Sequence, residues 1–381
     1  MRYIYLDYAA STPCAPRVLE AMRPYFFEQS ANASSPHKQG RHARKAIEQA
    51  RETLAAFIGA LPVEIIFTSG ASESNNHAIF STAKELKDKG RHIIASAIEH
   101  HSVLEPLRQL QKDGFQVDYI KPGADGIVRG EHIKTALRSD TILVCLQHAN
   151  NEIGTLQPVQ EVGRLCRQRG IYFLVDATQS VGHIPVNVKD IQCDFLSLSA
   201  HKFYGPQGVG ALYIRQGIKC PALILGGDQE RGRRAGTQNT AGIVGLGEAI
   251  NLCRAHFLEE ARIEADFRDR VIGFVLKEIP SAVLNGHPKE RLPNNAHFSF
   301  AGINGEELVS ALDLAGVAVS MGSACTWGQL EPSHVLKAMG LTDSMALGSL
   351  RVTTGRWTTE QDIVYFLEQL KTKCKNASSN S

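Results

Sequence analysis

Short continuous apolar runs recur through the first part of the chain, and between them the apolar positions fall at helical spacing. The runs lie at 64–68 (E-I-I-F-T), 92–96 (H-I-I-A-S), 116–120 (Q-V-D-Y-I), 141–146 (T-I-L-V-C-L), 172–176 (Y-F-L-V-D), 195–199 (F-L-S-L-S) and 210–214 (G-A-L-Y-I). Stretches such as 39–58 and 159–169 carry the amphipathic pattern of surface helices. Continuous apolar strands alternating with helices predict an α/β fold, with a parallel or mostly parallel sheet covered on both faces. In such a sheet, ligands sit beyond the carboxyl ends of the strands. After residue 250 the texture changes to a charged helical stretch over 255–278, β-like pieces at 296–300 and 317–320, and a terminal helix over 360–373. The expected organisation is a large domain over 15–252, a smaller α+β domain from 1–14 plus 253–373, and a polar tail over 374–381.

Composition narrows the classes. At 381 residues the chain exceeds one hydrophobic core, which favours one large and one smaller domain. A formal charge of +2 speaks against a surface that coats nucleic acid, so no direct nucleic-acid contact is expected. No apolar run reaches membrane-spanning length. The opening M-R-Y-I-Y-L-D-Y-A-A carries an acid inside its short apolar stretch and does not read as a signal peptide. Eight cysteines are scattered without C-x-x-C spacing, as expected of thiols in a reducing compartment, so a cytoplasmic location is expected. No metal-site or triphosphate-binding motif is present, and no metal is expected.

The chemistry clusters where strands end. Lys202 follows the 195–199 run between a histidine and an aromatic pair, ahead of a Gly-Pro turn. A lysine held on such a loop near a cleft loses solvation, and its amine becomes a usable nucleophile. Asp176 closes the 172–176 run. An imine-forming lysine beside an acid that keeps a ring nitrogen protonated is what pyridoxal phosphate (PLP) requires. T-S-G-A-S-E-S-N-N (68–76) reads as strand, small-residue turn and helix start, which with Ser72 would hold a phosphate. His100 is the better candidate of the 100–101 pair to lie on a cofactor ring, and His101 reads as a surface residue. In H-A-N-N-E-I-G-T (148–155) either asparagine could supply an amide donor, and Gln179 lies on the loop after Asp176. The glycine- and arginine-rich 226–240 suits an ordered loop touching an anion or a second subunit. Arg351 and Arg356 both offer a guanidinium fork for a substrate carboxylate. Cys325 sits among small and polar residues, the setting of an exposed reactive thiol, whereas the other seven cysteines read as buried filler.

With these motifs assembled, the chain resembles the PLP-dependent cysteine desulfurases, class V of the fold-type I aminotransferase superfamily. The resemblance runs from L-D-Y-A-A-S-T-P to G-R-W-T-T-E, through T-S-G-A-S-E-S-N-N, H-A-N-N-E-I-G, V-D-A-T-Q-S, S-A-H-K-F-Y-G-P-Q-G-V-G and G-S-A-C-T. It implies that Lys202 is the imine lysine, that Asp176 pairs the pyridinium, and that His100 stacks on the ring and relays protons. It further implies Asn151 and Gln179 at the phenolic oxygen, and Ser72, Ser199 and His201 at the phosphate, joined by Thr237 from the second subunit of a homodimer. Arg351 would bind the cysteine carboxylate, with Asn151 nearby, and Cys325 would accept the sulfur. The implied reaction converts L-cysteine to L-alanine, leaves a persulfide on Cys325 and passes it to an acceptor protein. Iron–sulfur assembly, tRNA thiolation and DNA phosphorothioation stay open as destinations. A selenocysteine lyase, an aminotransferase and a non-catalytic sulfur-relay scaffold are the rival expectations.

Overall fold

The computed structural model describes residues 3–321 and 331–379, with side chains to residue 376. Its strands are β1 (Ile4–Tyr5), β2 (Ile65–Thr68), β3 (His92–Ser96), β4 (Gln116–Ile120), β5 (Thr141–Cys145), β6 (Tyr172–Asp176), β7 (Phe195–Ser199), β8 (Gly210–Ile214), β9 (Ala282–Leu284), β10 (Asn295–Phe300), β11 (Val317–Ala318) and β12 (Ser349–Thr353). Among the described residues, β2 to β8 form one seven-stranded sheet in the order β2-β8-β7-β6-β5-β3-β4. Strands β4, β3, β5, β6 and β7 pair in parallel, and β8 runs antiparallel to both β7 and β2. Every strand of the sheet except β8 therefore points its carboxyl end the same way, and the loops after them converge.

The apolar runs are continuous because both faces of this sheet are covered. Successive side chains of a strand point to opposite faces. Ile94, Val144, Val175 and Leu196 join Ile47 and Leu54 of helix Lys38–Ile58 in one cluster. Their chain neighbours Ile93, Leu143, Leu174 and Phe195 join Ile79 of helix Ala71–Leu86 and Leu107 of helix His101–Lys112 in another. Burying each such side chain contributes about 1.5–3 kcal/mol, so neither face could be left to water.

A separate sheet, β12-β10-β9, is antiparallel, and β1 pairs with β11 in parallel beside it. Its core gathers Leu6, Val271, Val275, Phe298, Leu350, Val352, Ile363 and Phe366. Val335, Leu336, Met339 and Ala346 pack instead into the cluster of the large sheet. One helix, Thr240–Glu278, serves both cores, with Ile243, Leu246 and Ile250 in the first and Val271 and Val275 in the second. It begins well before the charged stretch at 255–278. The terminal helix runs on to Ser379 rather than stopping at 373, because Cys374 falls one turn after Leu370 and is buried with it.

Candidate active site

The converging loops enclose a cavity of about 630 Å³, within the size range of sites for small organic ligands. Its wall carries Ser72 after β2, His100 after β3, Asn151 after β5, Asp176 and Gln179 at the end of β6, and Ser199, His201 and Lys202 at the end of β7. From the smaller sheet comes Arg351 of β12.

The lysine loop owes its shape to the reversal into β8. A short helical turn, Ala200–Lys202, follows β7, and Ala200 and Gly205 are tied by a backbone hydrogen bond of 3.0 Å. The chain then returns as β8 beside the turn that opens helix Ala71–Leu86. At that crossing Gly70 adopts φ +154°, and a Cβ on Gly210 would lie 2.7 Å from the Gly70 Cα. Two glycines are needed there, and their approach brings the helix N-terminus up to Ser199. An N-terminus of this kind, with hydroxyls beside it, is an anion cradle.

Lys202 Nζ donates to the carbonyls of Ala9 at 2.6 Å and Ala10 at 2.7 Å. Burial lowers its pKa to about 8, with Arg351 pushing the same way and Asp7 and Asp176 opposing. Burial, with the Lys202 charge beside it, takes His201 to about 4. Gln179 donates to the same Ala9 carbonyl at 3.0 Å.

Asp176 is buried, and its carboxylate is held from two sides. Thr178 donates through its backbone amide at 3.0 Å and its hydroxyl to Oδ1, and Asn75 donates to Oδ2 at 2.8 Å. The Asn75 amide also donates to the Ser102 hydroxyl at 2.9 Å, which stands 2.8 Å from His100 Nδ1. Because His100 Nδ1 also accepts from the Ser102 amide, at 3.1 Å, the ring keeps its proton on Nε2. Burial lowers the His100 pKa. Asn75 and Ser102 therefore join the carboxylate to the histidine, and sequence reading singled out neither. Asn75 lies four residues into a helix, where only a folded register shows which way it faces.

The residues left open by the sequence fall in different places. Asn150 is buried and spent on a turn, accepting from the amides of Glu152 and Ile153 and donating to the Ile98 carbonyl, while Asn151 lines the cavity. Arg351 donates to the Asn151 carbonyl at 2.7 Å and to Asp7 at 2.8 Å, and its buried Nε has no hydrogen-bond partner among the described residues. Arg356 points elsewhere, paired with Glu260 and lying 4.2 Å over the Tyr204 ring. His101 is exposed, as expected, yet it stands at the cavity edge with its ring 4.9 Å from that of His334. Glu152, which was not singled out, also lines the cavity and accepts from Ser333.

Thr237 is absent from this wall. It lines a smaller neighbouring cavity of about 150 Å³ that shares Ser69 and Gly208 with the first. Its loop is pinned, with Glu230 bonded to Arg51 at 2.7 Å and Arg234 to Glu73 at 2.9 Å. Cys325 lies outside the described residues, but Ser320 and His334 on either side of it line the cavity. The other seven cysteines are wholly or partly buried, and burial pushes the thiols of Cys166 and Cys253 up to about 12.

This donor set fits PLP. A half-buried lysine of lowered proton affinity, a tethered carboxylate and a hydroxyl-lined helix N-terminus answer its aldehyde, ring nitrogen and phosphate.

Comparison with known proteins gives a consistent picture. The sequence profile described as aminotransferase class-V matches residues 4–366. A cysteine desulfurase IscS from Dictyoglomus turgidum is 52% identical over 370 residues, covering 97% of this chain and 94% of the relative. A solved NifS-like protein superposes with a TM-score of 0.92 at 36% identity, over 98% of this chain and 100% of that one. A structure described as SspA in complex with cysteine gives 0.83 at 39% identity, over 93% and 100%.

Proposed function

The chain belongs to the aminotransferase class-V family and is a PLP-dependent cysteine desulfurase, and on that premise we propose which of its residues carry the conversion of L-cysteine to L-alanine. The observation that carries the assignment is the meeting of Lys202, the tethered Asp176 and Arg351 in one cavity.

When bound, PLP supplies an aldehyde that takes up amines and a ring that draws electrons from the α-carbon. Lys202 would be its amine partner and would move protons at the α-carbon. Asp176, fixed by Asn75 and Thr178, holds the proton of the ring nitrogen. His100, with Nδ1 held by Ser102, would face the ring and relay protons through Nε2. Asn151 and Gln179 serve the phenolic oxygen, and Ser72, Ser199 and His201 the phosphate. Arg351 takes the substrate carboxylate, with Asn151 beside it.

Cys325 is the sulfur acceptor. Its thiolate attacks the sulfur of cysteine, an S–S bond forms and the Cβ–S bond breaks. The electron pair of the broken bond stays with carbon, which takes up a proton and leaves as alanine. The persulfide then passes to a thiol of an acceptor protein. The cavity position of Ser320 and His334, which flank this cysteine in sequence, supports the reading.

We read the working unit as a cytoplasmic homodimer with Thr237 reaching the second copy's phosphate. The exposed Phe26, Phe27 and Leu225 support a covered surface. The two separate cores support a two-domain organisation, although a single helix crosses the 252/253 boundary and Tyr8, Cys253, Val335 and Leu336 pack with the first core.

The test is Cys325→Ala with L-cysteine as substrate. The variant should keep the bound cofactor's absorbance while alanine and protein persulfide fall at least about a hundredfold. Unchanged alanine and persulfide would refute the assignment. A keto acid product would instead mark an aminotransferase, turnover confined to L-selenocysteine a selenocysteine lyase, and no turnover by the wild-type chain a relay scaffold.

A further inference from the structure

The backbone around Lys202 is held from behind, carbonyl by carbonyl. That of His201 accepts from the Thr12 amide at 2.8 Å, that of Phe203 from the Cys253 thiol at 3.9 Å, and that of Tyr204 from the Ala15 amide at 2.9 Å. The Lys202 carbonyl is met by a side chain with an acid behind it. His183 Nε2 lies 3.0 Å from the Lys202 oxygen, and His183 Nδ1 lies 3.8 Å from Glu264 Oε2. Both side chains are buried, at 5% and 4% exposure. Neither lines the cavity, and no step assigned above uses them.

We propose that His183, backed by Glu264, is a positioning residue for Lys202: its Nε2–H holds the Lys202 carbonyl and so fixes the short helical turn from which the lysine enters the cavity.

The environment supports a ring that carries its proton on Nε2, toward the Lys202 carbonyl, with Nδ1 turned toward Glu264 and Asn294. Glu264 and the Lys202 carbonyl raise the proton affinity of His183 against the effect of burial, and Glu260 acts in the same direction. Glu260 lies one turn before Glu264 on helix Thr240–Glu278 and is itself paired with Arg356. The Asn294 amide stands 3.5 Å from His183 Nδ1. A buried histidine with a carboxylate behind it is a rigid donor, because its second nitrogen fixes the ring's orientation. The helix that supplies Glu264 joins the two hydrophobic cores, so the brace also ties the lysine to the element that both cores share.

The inference rests on the reading of Lys202 as the cofactor's amine partner. Its test compares His183→Leu, which loses the donor, with His183→Gln, which keeps one N–H, in the full-length holoenzyme. In His183→Leu, kcat for alanine formation should fall about tenfold with KM for cysteine held within about twofold, as for a displaced catalytic group. The pH midpoint of the cofactor's visible band should also move. His183→Gln should recover most of kcat and the wild-type midpoint. Wild-type kcat and midpoint in His183→Leu, or equal losses in both variants, would overturn the inference, the second outcome assigning the site to packing alone. Should His183→Leu not fold, Glu264→Gln carries the test, since it leaves the ring without its acid. A displaced midpoint there supports the brace and an unmoved one overturns it. Lys202→Ala separates the two claims. A visible band that survives that change overturns the reading of Lys202, whereas its loss beside an unaffected His183→Leu enzyme overturns the brace alone.

Discussion

The two sheets deliver their functional groups in different ways. The seven-stranded sheet brings His100, Asn151 and Lys202 to the cavity from loops beyond its strands, and Asp176 from the last paired residue of β6. The three-stranded sheet brings Arg351 from the middle of β12, with its backbone still paired to His297 of β10. Alternation sends Leu350 and Val352 into the small core and leaves Arg351 on the other face, toward the cavity. On the assignment proposed above, the strand-end groups would serve the cofactor and the mid-strand arginine the substrate carboxylate. The difference separates chemistry from capture. Changes at strand ends should act on kcat and changes at Arg351 on KM.

The strongest break in that comparison is expected from Asp176→Asn. Losing the group that holds the ring proton should lower kcat at least about a hundredfold, with KM for cysteine little changed, as steady-state alanine assays would read. Arg351→Lys keeps the charge and loses the fork. KM should rise about tenfold, the scale of one charged hydrogen bond, while the cofactor's absorbance is unchanged. A fall in kcat with unchanged KM would erase the distinction between the sheets. Asn75→Ala removes the tie between Asp176 and Ser102 and should cost about 1–2 kcal/mol of transition-state stabilisation, a five- to thirtyfold loss in kcat. The smallest effect sharpens the contact between the two regions. Lys202 in the cofactor-free chain titrates at about 8, so PLP capture should accelerate as pH rises through that value. The Arg351 cation disfavours protonation of Lys202, so Arg351→Gln should move the capture midpoint upward, which stopped-flow absorbance would detect.

Much of the large sheet is legible in the sequence because strands buried on both faces are continuously apolar and end abruptly in polar, functional loops. Lys202, Asp176 and His100 were readable for that reason. The antiparallel course of β8 was not, since an apolar run carries no direction. The start of helix Thr240–Glu278 was obscured by its glycines, which depress helix propensity. Packing explains them: a Cβ on Gly247 would lie 2.8 Å from the Ala50 Cβ of the facing helix. Asn75, Ser102, His183 and Glu264 escaped notice because each acts through a partner distant in sequence. An isolated polar residue on a helix or turn gives no sign that it will be buried beside a lysine loop.

The central claim is that Lys202 is the residue to which the cofactor attaches, at the meeting of the two sheets. Borohydride reduction of the holoenzyme, followed by proteolysis and peptide mass mapping, tests it directly. A pyridoxyl addition is expected on the peptide carrying Lys202. An addition on a different lysine, or none on an enzyme that shows the visible cofactor band, would contradict it.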